Sequence, residues 1–381
     1  MRTLSATRKM TCDTDLHKNA KAMENRAPWF PSVPPPGEPM TMIDVSRLPK
    51  AELHVHLEGS LEPEMLLELA ARNGVDIPFH SEEEARAACH FTDLQSFLNL
   101  YYAGLRVLRT PRDFAEVTHA YLTRAHADRV RHAEIYFSPQ GHLRRGIAFA
   151  DMMEGVIEGM TAARADMGIS SGLILGLQRQ YAEDEGFEVL DLARPYRQHV
   201  LALGLGGPEI GNPPEKFTRV FAEARRRGWH TVAHAGEEGD AGYVRQAMDL
   251  LHVDRIDHGV RCAEDPALVR TIAERGITLT VCPLSNVCLR VFPDIAAHNL
   301  GTLLRAGVKV TINSDDPPYF GGYIDDNFRA CQTGIGLSDA DIITVARNGF
   351  TGSFLPAEEV AVHLAELDGA VREWQAGAMD A

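Results

Sequence analysis

The sequence lacks the excess of basic residues that a polyanion binder uses. Its 381 residues hold 38 basic and 53 acidic side chains, a formal charge of −15. Neither nucleic acid nor an anionic membrane is an expected partner. No apolar run approaches the ~20 residues of a membrane helix, and the N-terminus has no apolar signal core. There is no C-x-x-C. Cys12, Cys89, Cys262, Cys282, Cys288 and Cys331 are scattered, a pattern that predicts reduced thiols and a cytoplasmic protein. The Cys282–Cys288 pair has apolar flanks and reads as core cysteines rather than a thiolate metal site. A glycine-rich phosphate loop is also missing after the first strand, where Leu57-Glu58-Gly59-Ser60 stands. That counts against a doubly wound dinucleotide-binding sheet.

Apolar residues make up 45% of the chain, enough for a full-sized core. Residues 1–42 stand apart, with Pro28, Pro31, Pro34, Pro35, Pro36 and Pro39 but no periodicity. They predict a disordered proline-rich extension; a start codon placed too early, with Met40 or Met42 as the true start, explains them equally well. Residues 43–381 then form the folded domain. Eight β-rich runs follow, at 52–57, 132–138, 171–178, 200–206, 230–235, 255–260, 277–282 and 309–314. Most are continuous apolar runs, as in strands buried on both faces of a parallel sheet. Helical stretches lie between them, including 63–73, 113–127, 151–166, 216–227, 241–251 and 266–275. Eight βα units predict a (β/α)8 barrel. The long segment between the first two strands, with an acidic stretch at 81–86 and an aromatic one at 91–108, predicts extra helices over the barrel mouth.

A barrel enzyme carries its chemistry at the C-terminal ends of its strands. Those ends hold His54-Val55-His56 with Glu58, then His234-Ala235-Gly236-Glu237, Asp257-His258-Gly259 and Ser314-Asp315-Asp316-Pro317. His54 and His56 are two apart on a strand, so both imidazoles project from one face. With His234 and Asp315 they make a Zn2+ shell of three imidazoles and one carboxylate, leaving a position open for water. Zinc lowers the pKa of that water toward ~7. His258 is placed to hold or deprotonate it. Glu237 is the expected proton donor to a substrate atom beside the point of attack. Asp257 reads as a charge partner, and Asp316 should point away from Asp315 toward a substrate donor.

Together these motifs resemble the adenosine/adenine deaminase family of amidohydrolase barrels. The resemblance spans about residues 46–360. It rests on Pro49-Lys-Ala-Glu-Leu-His-Val-His-Leu-Glu-Gly59, His234-Ala-Gly-Glu237, Arg255-Ile-Asp-His-Gly259, Cys282-Pro-Leu-Ser-Asn286 and Ser314-Asp-Asp-Pro317. It implies one zinc on His54, His56, His234 and Asp315, with zinc hydroxide attacking C6 of a 6-aminopurine and ammonia leaving. It makes Glu237 the donor to purine N1, and it makes His258 the residue that orients or deprotonates the water. Asp316 would bond N7, and a backbone N–H near Gly207 would meet N3. Adenosine-cleaving members carry Asp where Glu58 stands, and that Asp contacts the ribose. Glu58, expected on the same strand face as the histidine pair, should therefore redirect the sugar pocket. The Glu-Gly-Ser form and Asp316-Pro-Pro-Tyr-Phe-Gly-Gly322 look most like bacterial adenine deaminases, so the expected reaction is adenine to hypoxanthine. Adenosine or deoxyadenosine is the alternative substrate, ahead of another N6-aminopurine derivative or a non-catalytic purine-binding protein. Strand four has no lysine to bridge a second metal, so a single-metal site is favoured. Oligomeric state is not legible.

Overall fold

The structure, a computed structural model, describes residues 42–379. Apart from Met42, the expected extension over 1–42 lies outside the described residues. Eight strands pair in chain order, all parallel: β1 (Lys50–His56), β2 (Val130–Phe137), β3 (Ser170–Gln178), β4 (Val200–Gly206), β5 (His230–Ala235), β6 (Arg255–His258), β7 (Thr278–Val281) and β8 (Lys309–Ile312). A doubly wound sheet would permute this order. The chain is a (β/α)8 barrel. The last strands are shorter than expected. β6 stops at His258 because that residue and Gly259 both take positive φ, +59° and +72°.

The barrel closes through backbone that also carries functional side chains. The His56 N–H donates to the Asp315 carbonyl at 2.9 Å, and the Asp315 N–H to the His54 carbonyl at 3.0 Å. Buried Glu52 accepts from the Ser314 N–H at 2.9 Å and its hydroxyl at 3.0 Å, and Asn313 Oδ1 accepts from the Leu53 N–H at 2.9 Å. Closure thus inserts Asp315 beside the two histidines of β1.

Helices Pro63–Asn73 and Pro266–Arg275 run as the sequence predicts, each with proline in its first turn and a left-handed glycine after its end. Of the two expected mouth helices, only Leu94–Gly104 covers the barrel. Asp93 caps it, accepting from the Ser96 N–H at 2.7 Å. Phe97, Leu98 and Tyr101 pack with Leu289, Tyr319 and Phe320. The acidic helix Glu82–Ala87 instead lies to one side, where Ala85 packs with Leu61, Leu66 and Phe79. Among the described residues, no helix is long and apolar enough to cross a membrane.

Candidate active site

His54, His56, His234 and Asp315 each offer a donor atom, and these atoms lie within 4.8 Å of one another. His234 Nε2 stands 3.1 Å from His54 Nε2 and 3.2 Å from His56 Nε2. Asp315 Oδ1 is 3.4 Å from His54 Nε2 and 3.2 Å from His56 Nε2. The far side of two of these rings explains the convergence. His54 Nδ1 faces the Thr280 carbonyl at 3.2 Å, and His234 Nδ1 faces Asp257 Oδ2 at 3.4 Å. Both Nδ1 atoms therefore carry hydrogen, and both Nε2 atoms turn lone pairs inward. Lone pairs and a carboxylate packed this closely repel unless a cation sits among them, so the donor set fits a divalent metal. Burial, with His54 alongside, brings His234 down to about 4, which keeps it neutral as a ligand must be. Asp315 holds its place at φ +64°, a conformation costly for a non-glycine residue.

Asp257 is the charge partner expected of it. It accepts from the Tyr136 hydroxyl and, at 2.7 Å, from Thr280 Oγ1. Burial opposes its ionisation, but His234, His54 and Arg255 hold it well below the usual carboxylate range. Tyr136 reaches it by lying over Gly204, where a Cβ would stand 2.3 Å from the ring. The apolar end of β4 therefore makes room for that ring.

Cys282 Sγ approaches His258 and Asp315 closely enough to form a second candidate metal group. Burial pushes its thiol well above the ordinary range, however, so it is a neutral core group and a poor ligand.

The cleft beside the histidine cluster encloses ≈ 540 Å3, its open mouth included. Glu237, His258 and Asp316 face into it, Gly207 forms part of its wall, and Phe97, Tyr101 and Tyr102 roof it. Burial, then the charges of Asp315 and Glu209, push Glu237 well above the usual carboxylate range. Asp316 departs from expectation. Its carboxyl lies against Asp315 rather than away from it, and burial together with that contact raises it strongly. Gly59 makes this placement possible, because a Cβ there would lie 1.6 Å from Asp316 Oδ1.

Glu58 is a second correction. The chain turns helical at Leu57, so Glu58 leaves the strand face and is not among the residues lining the cleft. Its Oε1 accepts from the Ser138 N–H at 3.0 Å and faces His142 Nε2 at 3.2 Å. His142, fully buried and outside every motif, is the partner of this buried carboxylate.

Two further residues carry no motif. Gln178, at the end of β3, lines the cleft with a buried amide oxygen lacking a partner among the described residues. Glu209 holds the loop that carries Glu237. Its carboxylate accepts from the backbone N–H groups of Gly236, Glu237, Glu238 and Gly239 at 2.7, 3.1, 2.9 and 2.8 Å. Fully buried Arg179 lies 3.9 Å from the same carboxylate and donates to the His234 carbonyl at 2.5 Å. An acidic residue just past a Gly-Pro at a strand end was the available signal.

Residues 49–369 match the family model described as adenosine deaminase. The chain is 51% identical to an adenine deaminase of Zymomonas mobilis over 85% of its own length and 96% of that protein. It is 54% identical to one of Sphingopyxis alaskensis, over 85% and 95% respectively. Among solved structures it resembles an adenine deaminase from Arthrobacter aurescens (TM-score 0.83, 46% identity, 85% and 99% covered). It also resembles an amidohydrolase from Burkholderia ambifaria with bound zinc (TM-score 0.80, 31% identity, 87% and 94% covered).

Proposed function

The chain belongs to the adenosine deaminase family and is a hydrolytic deaminase, and we propose that its reaction is adenine plus water to hypoxanthine plus ammonia. One observation carries this reading: a cluster of three histidines and an aspartate that could hold a metal ion opens on the same cleft as the buried carboxyl groups of Glu237 and Asp316, which burial and neighbouring charge push well above the usual carboxylate range. Support for the free base comes from the relatives named adenine deaminase at 51% and 54% identity. Tyr102 is tied across the aromatic roof of the cleft by Gln180, whose Nε2 donates to its hydroxyl at 2.9 Å.

His54, His56, His234 and Asp315 would hold one zinc, which when bound supplies the positive charge that acidifies water toward a pKa of about 7. The protein's own groups do the rest. Glu237 holds a proton at the cleft wall and delivers it to the ring nitrogen adjoining the attacked carbon, N1. That transfer draws electrons out of the C6–N1 bond as the new C6–O bond forms. Asp316 donates a hydrogen bond to N7, and the backbone at Gly207 borders the N3 edge. His258 orients the attacking water from β6. The water's two hydrogens close the balance: one returns to Glu237 in place of the proton given to N1, and the other passes from the C6 hydroxyl to the amino group as the C6–N bond breaks, leaving a C6 carbonyl and free ammonia. Glu58 acts on the substrate indirectly, through the Ser138 backbone it holds. Residues 43–381 form the working domain.

Paired ammonia-release assays on adenine and adenosine, run on one preparation, test the substrate. A higher kcat/KM for adenine is expected; a higher value for adenosine reverses the assignment.

A further inference from the structure

The motif Cys282-Pro-Leu-Ser-Asn286 after β7 supplies none of the groups used above, yet its last residue lies at the centre of a buried polar chain. The chain begins at a group whose role is fixed. The Leu300 backbone N–H donates to His298 Nδ1 at 3.1 Å. A backbone N–H only donates, so Nδ1 of His298 is a lone pair and its ring hydrogen sits on Nε2. Burial keeps this ring neutral, at about 3. Its Nε2–H donates to Asn286 Oδ1 at 3.2 Å. That bond orients the amide and leaves the Asn286 NH2 facing His258 Nδ1 at 3.2 Å. Rotating the amide by half a turn would set two donors against each other at His298 Nε2, so the orientation follows from the Leu300 N–H alone. His258 Nδ1 is then the acceptor, and its hydrogen resides on Nε2. His258, Asn286 and His298 are all buried, and Phe292 packs against the His298 ring at 4.3 Å between centroids.

We propose that His298 and Asn286 are positioning residues that lock His258 as its Nε2–H tautomer, so that His258 faces the reacting groups as a hydrogen-bond donor and not as a base. The geometry at the far end agrees. His258 Nε2 points toward the ligand-forming carboxylate of Asp315, 3.9 Å from Oδ2, with the Glu237 carboxyl group at 3.6 Å on its other side. Of the two roles open to His258, orienting the water or deprotonating it, the chain of bonds selects the first. A ring with no lone pair on that side cannot take the proton.

The tautomer is read directly by 15N NMR of the zinc-loaded protein labelled at histidine, with the His258 signals assigned by their loss in His258→Gln. This measurement does not depend on the deaminase reading, so the two fail separately. Wild type is expected to show a protonated Nε2 and an unprotonated Nδ1. Asn286→Asp puts an acceptor opposite Nδ1, which should move the hydrogen there. Its kcat should fall about 10- to 100-fold, the usual effect of removing a group that orients an active-site histidine. KM and zinc content should stay near wild type. His298→Gln keeps an N–H donor toward Asn286 and should retain more activity than His298→Leu. An Nδ1–H signal for His258 in wild type overturns the proposal even if every variant fails to fold. So does Asn286→Asp with wild-type kcat.

Discussion

Replacing Glu209 by Gln should disable the enzyme although Glu209 does not line the cleft. Oε1 accepts one backbone N–H, from Gly236, and Oε2 accepts three, from Glu237, Glu238 and Gly239. An amide has one oxygen. Turned toward the three donors, it presents its NH2 to the fourth, leaving the Gly236 N–H buried and unpaired at a cost of about 1–3 kcal/mol. The three remaining bonds change from charge-assisted to neutral and lose about 1 kcal/mol each. Arg179, fully buried, loses its carboxylate neighbour as well. The total, about 4–6 kcal/mol before relaxation, exceeds what a short loop withstands, so residues 236–239 should shift and carry Glu237 with them. A displacement of about 1 Å at a catalytic group costs on the order of 100-fold. Ammonia release should therefore show kcat down by about 100-fold or more, with metal content near wild type. Glu209→Asp, which keeps the charge, should recover part of the rate. If Glu209→Gln keeps a kcat close to wild type, the carboxylate does not position Glu237 and the reasoning fails.

Glu237→Gln should lower kcat by about 10²- to 10⁴-fold, the range for losing a general acid, while metal analysis still finds the cation bound. Gly59→Ala drives a methyl group into Asp316; kcat/KM for adenine should drop sharply, with a far-UV circular dichroism spectrum like wild type. Chelation should abolish turnover and lower Tm, because a metal that binds only the folded state stabilises it; added zinc should restore both. Burial opposes ionisation of Glu134, but Arg255 at 2.6 Å and His132 hold it at about 2, against 4.5 for an ordinary glutamate. A depressed carboxyl stabilises the fold above its unfolded value and loses that contribution as pH falls. Thermal melts should show stability declining from about pH 4.5 toward 2, and Glu134→Gln should flatten that part of the profile.

The barrel was legible because its signals are local. Apolar runs mark strands buried on both faces, and proline and glycine bracket helices such as Pro63–Asn73. The histidine pair was legible for the same reason, since residues two apart on a strand share a face whatever surrounds them. Glu58 shows where that logic stops. The period of two continues through it on paper, but Leu57 has already turned to φ −56° and ψ −48°. Asp316 was placed in the right wall, but the burial and the Asp315 neighbour that raise its carboxyl come from the folded chain.

What stayed hidden has a common physical form. Glu209, Asn286 and His298 act through other groups: four backbone N–H bonds in one case, one amide between two rings in the other. Neither partnership leaves a spacing rule. Glu209 is 28 residues from Glu237, and Asn286 is 28 from His258, distances set by whole βα units. The candidate donor cluster depends on a similar long-range bond. Asp315 reaches His54 and His56 only because β8 closes on β1 through two hydrogen bonds made by the backbone of those same three residues. A sequence lists the donor groups. The atoms that hold those groups in place, and decide which of them carry protons, are brought together only when the barrel closes.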